Sequence, residues 1–168
     1  MVNLVIAAAL IGITSYTDIT AMKIYNKHVG IFFLLGLISA VWLGNYHLLG
    51  SAALVFAIYL FFYTGGRVMS NLAVSLGLMP LPDGASPMGG GDVKLAVTLA
   101  LLLGHYPVLY GTIAGALLLV LWQGVKQWQV CGSPKGIADV ALGRIHAPAA
   151  FGPFLGTCSL LAAAITTM

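Results

Sequence analysis

The feature that most constrains this chain is a repeated one. Six apolar stretches, near residues 2–17, 29–48, 51–65, 92–104, 107–125 and 148–167, alternate with more polar connections. A bilayer core takes about 20 apolar residues per helix, with a range of roughly 17 to 25. Lipid offers the backbone no hydrogen-bond partners, so a spanning segment must satisfy its own, as a helix does. The expected fold is therefore all-α: a polytopic membrane protein of about six transmembrane helices. The third and fourth stretches are short, and each is expected to borrow a turn from the segment between them. Composition agrees, with 60% hydrophobic and only 7% charged residues, against about 25% charged in a soluble domain.

Orientation follows from the basic residues. Lys23, Lys27, Arg67, Lys126, Lys135 and Arg144 fall in the connections 18–28, 66–91 and 126–147, and Lys94 stands at the edge of one; these are all 7 Lys and Arg. The intervening connections, "GNYHLLG" and "GHYP", have none. Lys/Arg excess marks the cytoplasmic side, which makes these three loops cytoplasmic and puts both termini outside. Trp42, Tyr46, Tyr106 and Tyr110 then fall near the outer interface, and Trp122 and Trp128 near the inner one, as aromatic belts do. The first apolar run has no basic residue before it, so it reads as a retained span and not a cleaved signal peptide. Gly111 and Gly115 in "GTIAG" share one helical face, where a neighbouring backbone can approach. Residues 1–168 read as a single membrane-embedded domain.

Some functions are excluded at this point. A net charge of +3, scattered along the chain, is no nucleic-acid footprint. Cys131 and Cys158 form neither a disulfide framework nor a zinc motif. His28, His47, His105 and His146 are dispersed without ligand spacing, so no metal and no cofactor is implied.

The chemistry must lie with the acids, of which there are 4, none of them glutamate. Asp83, in "PLPDGAS", reads as a turn residue, and Asp139 as a solvated one. Asp18 and Asp92 fall at the same depth, at the cytoplasmic ends of the first and fourth spans. An ionisable residue near the hydrocarbon is a functional-site hypothesis by default, and two at one level suggest a pair. Ordinary readings compete with this. Asp92 also reads as an N-cap, and Asp18 as a turn residue just past its helix, although a carboxylate there meets the unfavourable end of the helix dipole. As a pair, the two would not both ionise easily. The ionised member can take a proton from water while the neutral one donates to a carbonyl oxygen. Gly89, Gly90 and Gly91, lacking Cβ, would let a peptide backbone or the opposite helix approach.

Three elements carry a resemblance. "GGGDVKL" at 89–95 resembles the Gly-x-Gly-Asp-x-Lys-Leu signature of type IV prepilin peptidases, membrane aspartic proteases that trim pilin precursors. "TDITAMKIYN" at 17–26 is similar to the family's other element, an Asp followed by Ile-Pro-Asn, and "FGPFLG" at 151–156 to the opening of its last span. Tyr25 departs from the pattern where the family usually has proline.

The resemblance implies that Asp18 and Asp92 are catalytic. Gly89, Gly90, Gly91, Lys94, Lys23 and Asn26 are then expected to shape the site, with Lys94 either orienting a carboxylate or anchoring to lipid phosphates. It also implies a precursor substrate with a short basic leader and an apolar helix, cut after a glycine at the cytoplasmic face of the inner membrane. The chain has nothing that could house the cysteine-paired insertion of the large members, linked to N-methylation, so the peptidase-only branch is expected.

Two further expectations concern residues 66–91: "RVMSNLAVSLGLM" suggests an interfacial helix through Val68, Leu72, Val74 and Leu76, with an extension of the third span as the alternative, and the glycine- and proline-rich remainder suggests a mobile cover over the site. The functional alternative is a small proton-coupled carrier relaying protons through the same two aspartates, which would favour ionisable residues nearer the bilayer midplane.

Overall fold

The computed structural model describes residues 2–21, 23–75, 89–131 and 151–167. Among them the chain is helical throughout, in six helices: α1 (Val2–Ala21), α2 (Asn26–Trp42), α3 (His47–Ser75), α4 (Gly90–Leu103), α5 (His105–Cys131) and α6 (Gly152–Thr167). Three segments are long and apolar enough to cross a membrane, Val2–Ala21, His47–Gly66 and His105–Lys126, while Asn26–Trp42 and Gly152–Thr166 are shorter apolar helices. Large apolar side chains face outward along the helices. Val5, Ile31, Leu34, Phe61, Phe62, Ile113, Leu117, Leu161 and Ile165 are all exposed, the pattern of a bundle that meets lipid.

Several boundaries differ from the sequence reading, each for a local reason. Helix α1 runs on to Ala21, past the expected end of the first span, and so places Asp18 in the helix's last turn. In the polar run after residue 13 the threonine hydroxyls are satisfied within the helix, each bonded back to the preceding turn: Thr14 to Leu10 O (2.8 Å), Thr17 to Thr14 O (3.0 Å) and Thr20 to Tyr16 O (2.7 Å). Helix α3 continues through Val68 and Leu72 to Ser75, so the expected separate interfacial helix is instead an extension of α3. Residues 76–88 and 132–150, with Asp83, Asp139, Lys135 and Arg144, lie outside the described residues, as does most of the expected cover.

The fourth helix borrows no turn. Gly89 starts it and Gly104 stops it, leaving 14 residues, of which Val93, Leu95, Ala96, Thr98, Leu99, Ala100, Leu101 and Leu102 are buried. It touches every other helix. Short and central, α4 is the axis on which Leu10 of α1, Val55 and Tyr59 of α3, Val108 of α5 and Leu155 of α6 close a core in which each is at most 2% exposed.

Helix α6 is set by backbone contact. A Cβ on Gly111 of α5 would lie 2.6 Å from Ser159 Cα, and one on Gly115 would lie 3.0 Å from Leu155 N. The seam expected of this glycine pair is therefore made, with α6 as partner. On its other side, a Cβ on Gly156 would lie 2.7 Å from Ile11 Cγ2 of α1. Helix α6 is thus wedged between α5 and α1, with its first residue at the level of Asp18.

Candidate active site

Three chain segments meet at one end of the bundle: the last turn of α1 with residues 23–25 behind it, the first turn of α4, and the first turn of α6. Asp18 is 7% exposed. Its Oδ2 accepts a hydrogen bond of 3.0 Å from the backbone N–H of Gly152. The sequence left this carboxylate at the unfavourable end of its own helix. The fold supplies the compensation from another one, because the N-terminal end of α6 presents unsatisfied N–H groups and the positive end of its dipole.

Asp92 is not an N-cap. Gly89 occupies that position, with φ −70 and ψ 141, and Asp92 is the third helical residue. Its N–H donates to Gly89 O at 3.0 Å, and its carboxylate lies in the first turn of its own helix, where the dipole favours a negative charge. The two carboxylates are close enough to interact as charges. Each is therefore met by the N-terminus of a helix, Asp92 by its own and Asp18 by α6.

The glycines divide by role. A Cβ on Gly89 would lie 3.0 Å from Asp92 Oδ2, one on Gly152 would lie 2.9 Å from Asp18 Oδ2, and one on Gly91 would lie 3.1 Å from Ile24 Cβ. Gly90 would meet nothing within 4 Å. The residue on which these segments close is Ile24, also 3.4 Å from the Cβ position of Gly152.

Lys94 and Asn26, both expected to shape the site, meet each other. The Lys94 Nζ donates to Asn26 Oδ1 at 2.8 Å, tying α4 to the first residue of α2. Lys23 is exposed on the 23–25 linker. Gly152, Ile24 and Tyr59 were not singled out from sequence. Tyr59 lies 2% exposed, within electrostatic reach of Asp92 and hydrogen-bonded to Thr112. Thr112 in turn donates to Val108 O at 2.6 Å. Gly152 and Ile24 did leave a trace, since each lies in a stretch that carries the resemblance, "FGPFLG" and "TDITAMKIYN". Tyr59, a tyrosine in so apolar a chain, carries no signal of its own.

Chemically, the arrangement is a pair of poorly solvated carboxylates on different helices, bounded by glycines that leave them unobstructed. A family model described as the type IV leader peptidase family matches residues 4–124. The match takes in both aspartates, the 23–26 segment and the glycine run, and stops short of α6. Comparison with curated proteins and with solved structures gave no match.

Proposed function

Because the chain belongs to the type IV leader peptidase family, a family of proteases, we propose that it is an aspartic endopeptidase with Asp18 and Asp92 as its catalytic pair. It removes the short basic leader of prepilin-like precursors at the cytoplasmic face of the inner membrane. The observation that carries this reading is the convergence of the two aspartates from α1 and α4 at one end of the bundle, where the segments bearing them close on Ile24 and the Asp18 charge acts on Asp92. In the reaction, the ionised carboxylate takes one proton from a water, and that water's oxygen bonds to the scissile carbonyl carbon. The neutral partner gives its proton to the carbonyl oxygen, forming a gem-diol. Collapse returns a diol proton to the second aspartate and passes the first aspartate's proton to the leaving nitrogen as the C–N bond breaks.

The depth of the site suits such a substrate. All six helices lie in the membrane in this reading, with the basic connections cytoplasmic. Helix α4 has 14 residues, about 21 Å of helix in a core of about 30 Å, and the other five shield it. Asp92 is thereby recessed from the cytoplasmic surface, near where a precursor's apolar helix begins.

The test is cleavage of a synthetic precursor by the purified chain in detergent. Wild type should cut it. Asp18→Asn, Asp92→Asn and the double variant should each lose at least roughly 10²–10⁴-fold, to a similar extent, because members of one catalytic unit do not add. Asp83→Asn and Asp139→Asn should keep most activity. Absence of cleavage by wild type, as a carrier would give, or full activity in Asp18→Asn, would overturn the assignment.

A further inference from the structure

We infer that Gly152, at the first turn of α6, is a positioning residue for the reaction: its N–H fixes one oxygen of Asp18, and its lack of a side chain leaves that carboxylate room. The inference rests on the reading of Asp18 as catalytic.

The hydrogen bond joins residues 134 apart in sequence, so it exists only because α6 is delivered to the end of α1. That delivery is stiff. Helix α6 touches α5 through Gly111 and Gly115 and α1 through Gly156, with backbone or Cβ-branched atoms on the other side of each contact. Small residues at such seams let helix backbones approach closely, and a close-packed seam leaves little freedom to slide. Pro153 follows Gly152 and has no N–H to offer, so of the first two residues of α6 only Gly152 donates. A free N–H at a helix start suits a carboxylate, and Asp18 is the carboxylate in place.

The consequence for catalysis is directional. With Oδ2 held by Gly152, the Asp18 side chain has one orientation, and Oδ1 is the oxygen left without this donor. Oδ1 is therefore the atom that addresses the water or the substrate. Backbone conformation is not the reason for glycine at this position, since Gly152 has no positive φ. The reason is space: a Cβ would stand 2.9 Å from Oδ2 and would turn the carboxylate away from its partner.

Gly152→Ala keeps the N–H and adds only that methyl. A displacement of about 1 Å in a reacting group costs roughly 10²-fold in rate, so kcat for precursor cleavage should fall by about that factor. KM should stay within about threefold, because the precursor's own contacts are unchanged. The control is Gly36→Ala on α2, where the new methyl meets Leu101 Cδ2 at 3.1 Å. It should lower thermal stability by a similar amount and leave kcat near wild type.

Should Gly152→Ala accumulate poorly, combining it with Ile24→Ala removes the methyl's second contact, at 3.4 Å. The same fall in kcat is then expected relative to Ile24→Ala alone. A Gly152→Ala enzyme with near-normal kcat would overturn the inference, as would a rise in KM at unchanged kcat, or an equal fall in kcat in Gly36→Ala. If wild type cleaves, Asp18→Asn is inactive and Gly152→Ala is unimpaired, only this inference falls. If Asp18→Asn is fully active, the reading of the site falls with it.

Discussion

The two ends of the bundle use glycine for different reasons. At the end away from the aspartates, α2 and α4 stop at Gly44 (φ 66) and Gly104 (φ 89), the two positive-φ glycines among the described residues. Gly44 closes a Schellman motif, with Asn45 N bonded to Ala40 O at 2.8 Å and Gly44 N to Val41 O at 3.2 Å. Side chains tie helices together there, Ser39 of α2 to Asn3 of α1 (2.6 Å) and Ser51 of α3 with His105 of α5 (2.9 Å). At the aspartate end the backbone is ordinary, yet Gly89, Gly91 and Gly152 each face an atom that a Cβ would crowd. One end needs glycine for its dihedrals, the other for its emptiness. Turn chemistry is therefore expected to govern stability at the first, and clearance, if the proposed site is the active one, to govern cleavage at the second.

Substitutions can break or sharpen that contrast, and the largest effect is expected at the aspartate end. Gly91→Val sets branched carbons against Ile24, whose Cβ is already 3.1 Å from the Cβ position. Pushing the 23–25 linker off α4 should cost roughly 10²-fold in kcat/KM, with most of the thermal stability kept; unchanged cleavage would show that clearance there does not matter.

Next comes Gly104→Ala. Its φ of 89 and ψ of 171 lie in a region open essentially to glycine, so about 1–3 kcal/mol of stability should be lost. Gly44→Ala, in the left-handed helical region, should lose about 1–2 kcal/mol. Both should retain cleavage per folded molecule, read from thermal unfolding in detergent beside the peptidase assay. A selective loss of activity in either would mean that the far end communicates with the site.

The smallest effect belongs to Gly90→Ala. The position is open, and alanine is the better helix former by about 1 kcal/mol. Cleavage should be unchanged, which would separate the middle glycine of the run from its neighbours.

Much of this protein was legible in the sequence. Apolar runs of helical length gave six helices in the right order, and the scarcity of acids pointed to Asp18 and Asp92. The glycine pair at 111 and 115 announced a close helix seam. These are local properties: a helix, its apolar content and its small-residue face are written within a few turns of chain. The sequence also misled where local signals ran together. The chain from Asp18 on looked like a connection, but α1 runs on to Ala21, with the Thr20 hydroxyl bonded back to Tyr16 O. Val68 and Leu72 suited either a new interfacial helix or a longer third one, and they extend α3.

Which helix end meets which was not legible, because it depends on summed packing among segments far apart in the chain. Nothing near Asp18 says that its hydrogen-bond donor is Gly152, 134 residues away. Nothing near Lys94 says that it turns to Asn26 instead of a carboxylate. The sequence by itself determined a helical membrane bundle and its two informative aspartates. The tertiary structure alone decided that a third helix, seated by glycine contacts on α5 and α1, brings its N-terminus to Asp18 and offsets the unfavourable end of α1.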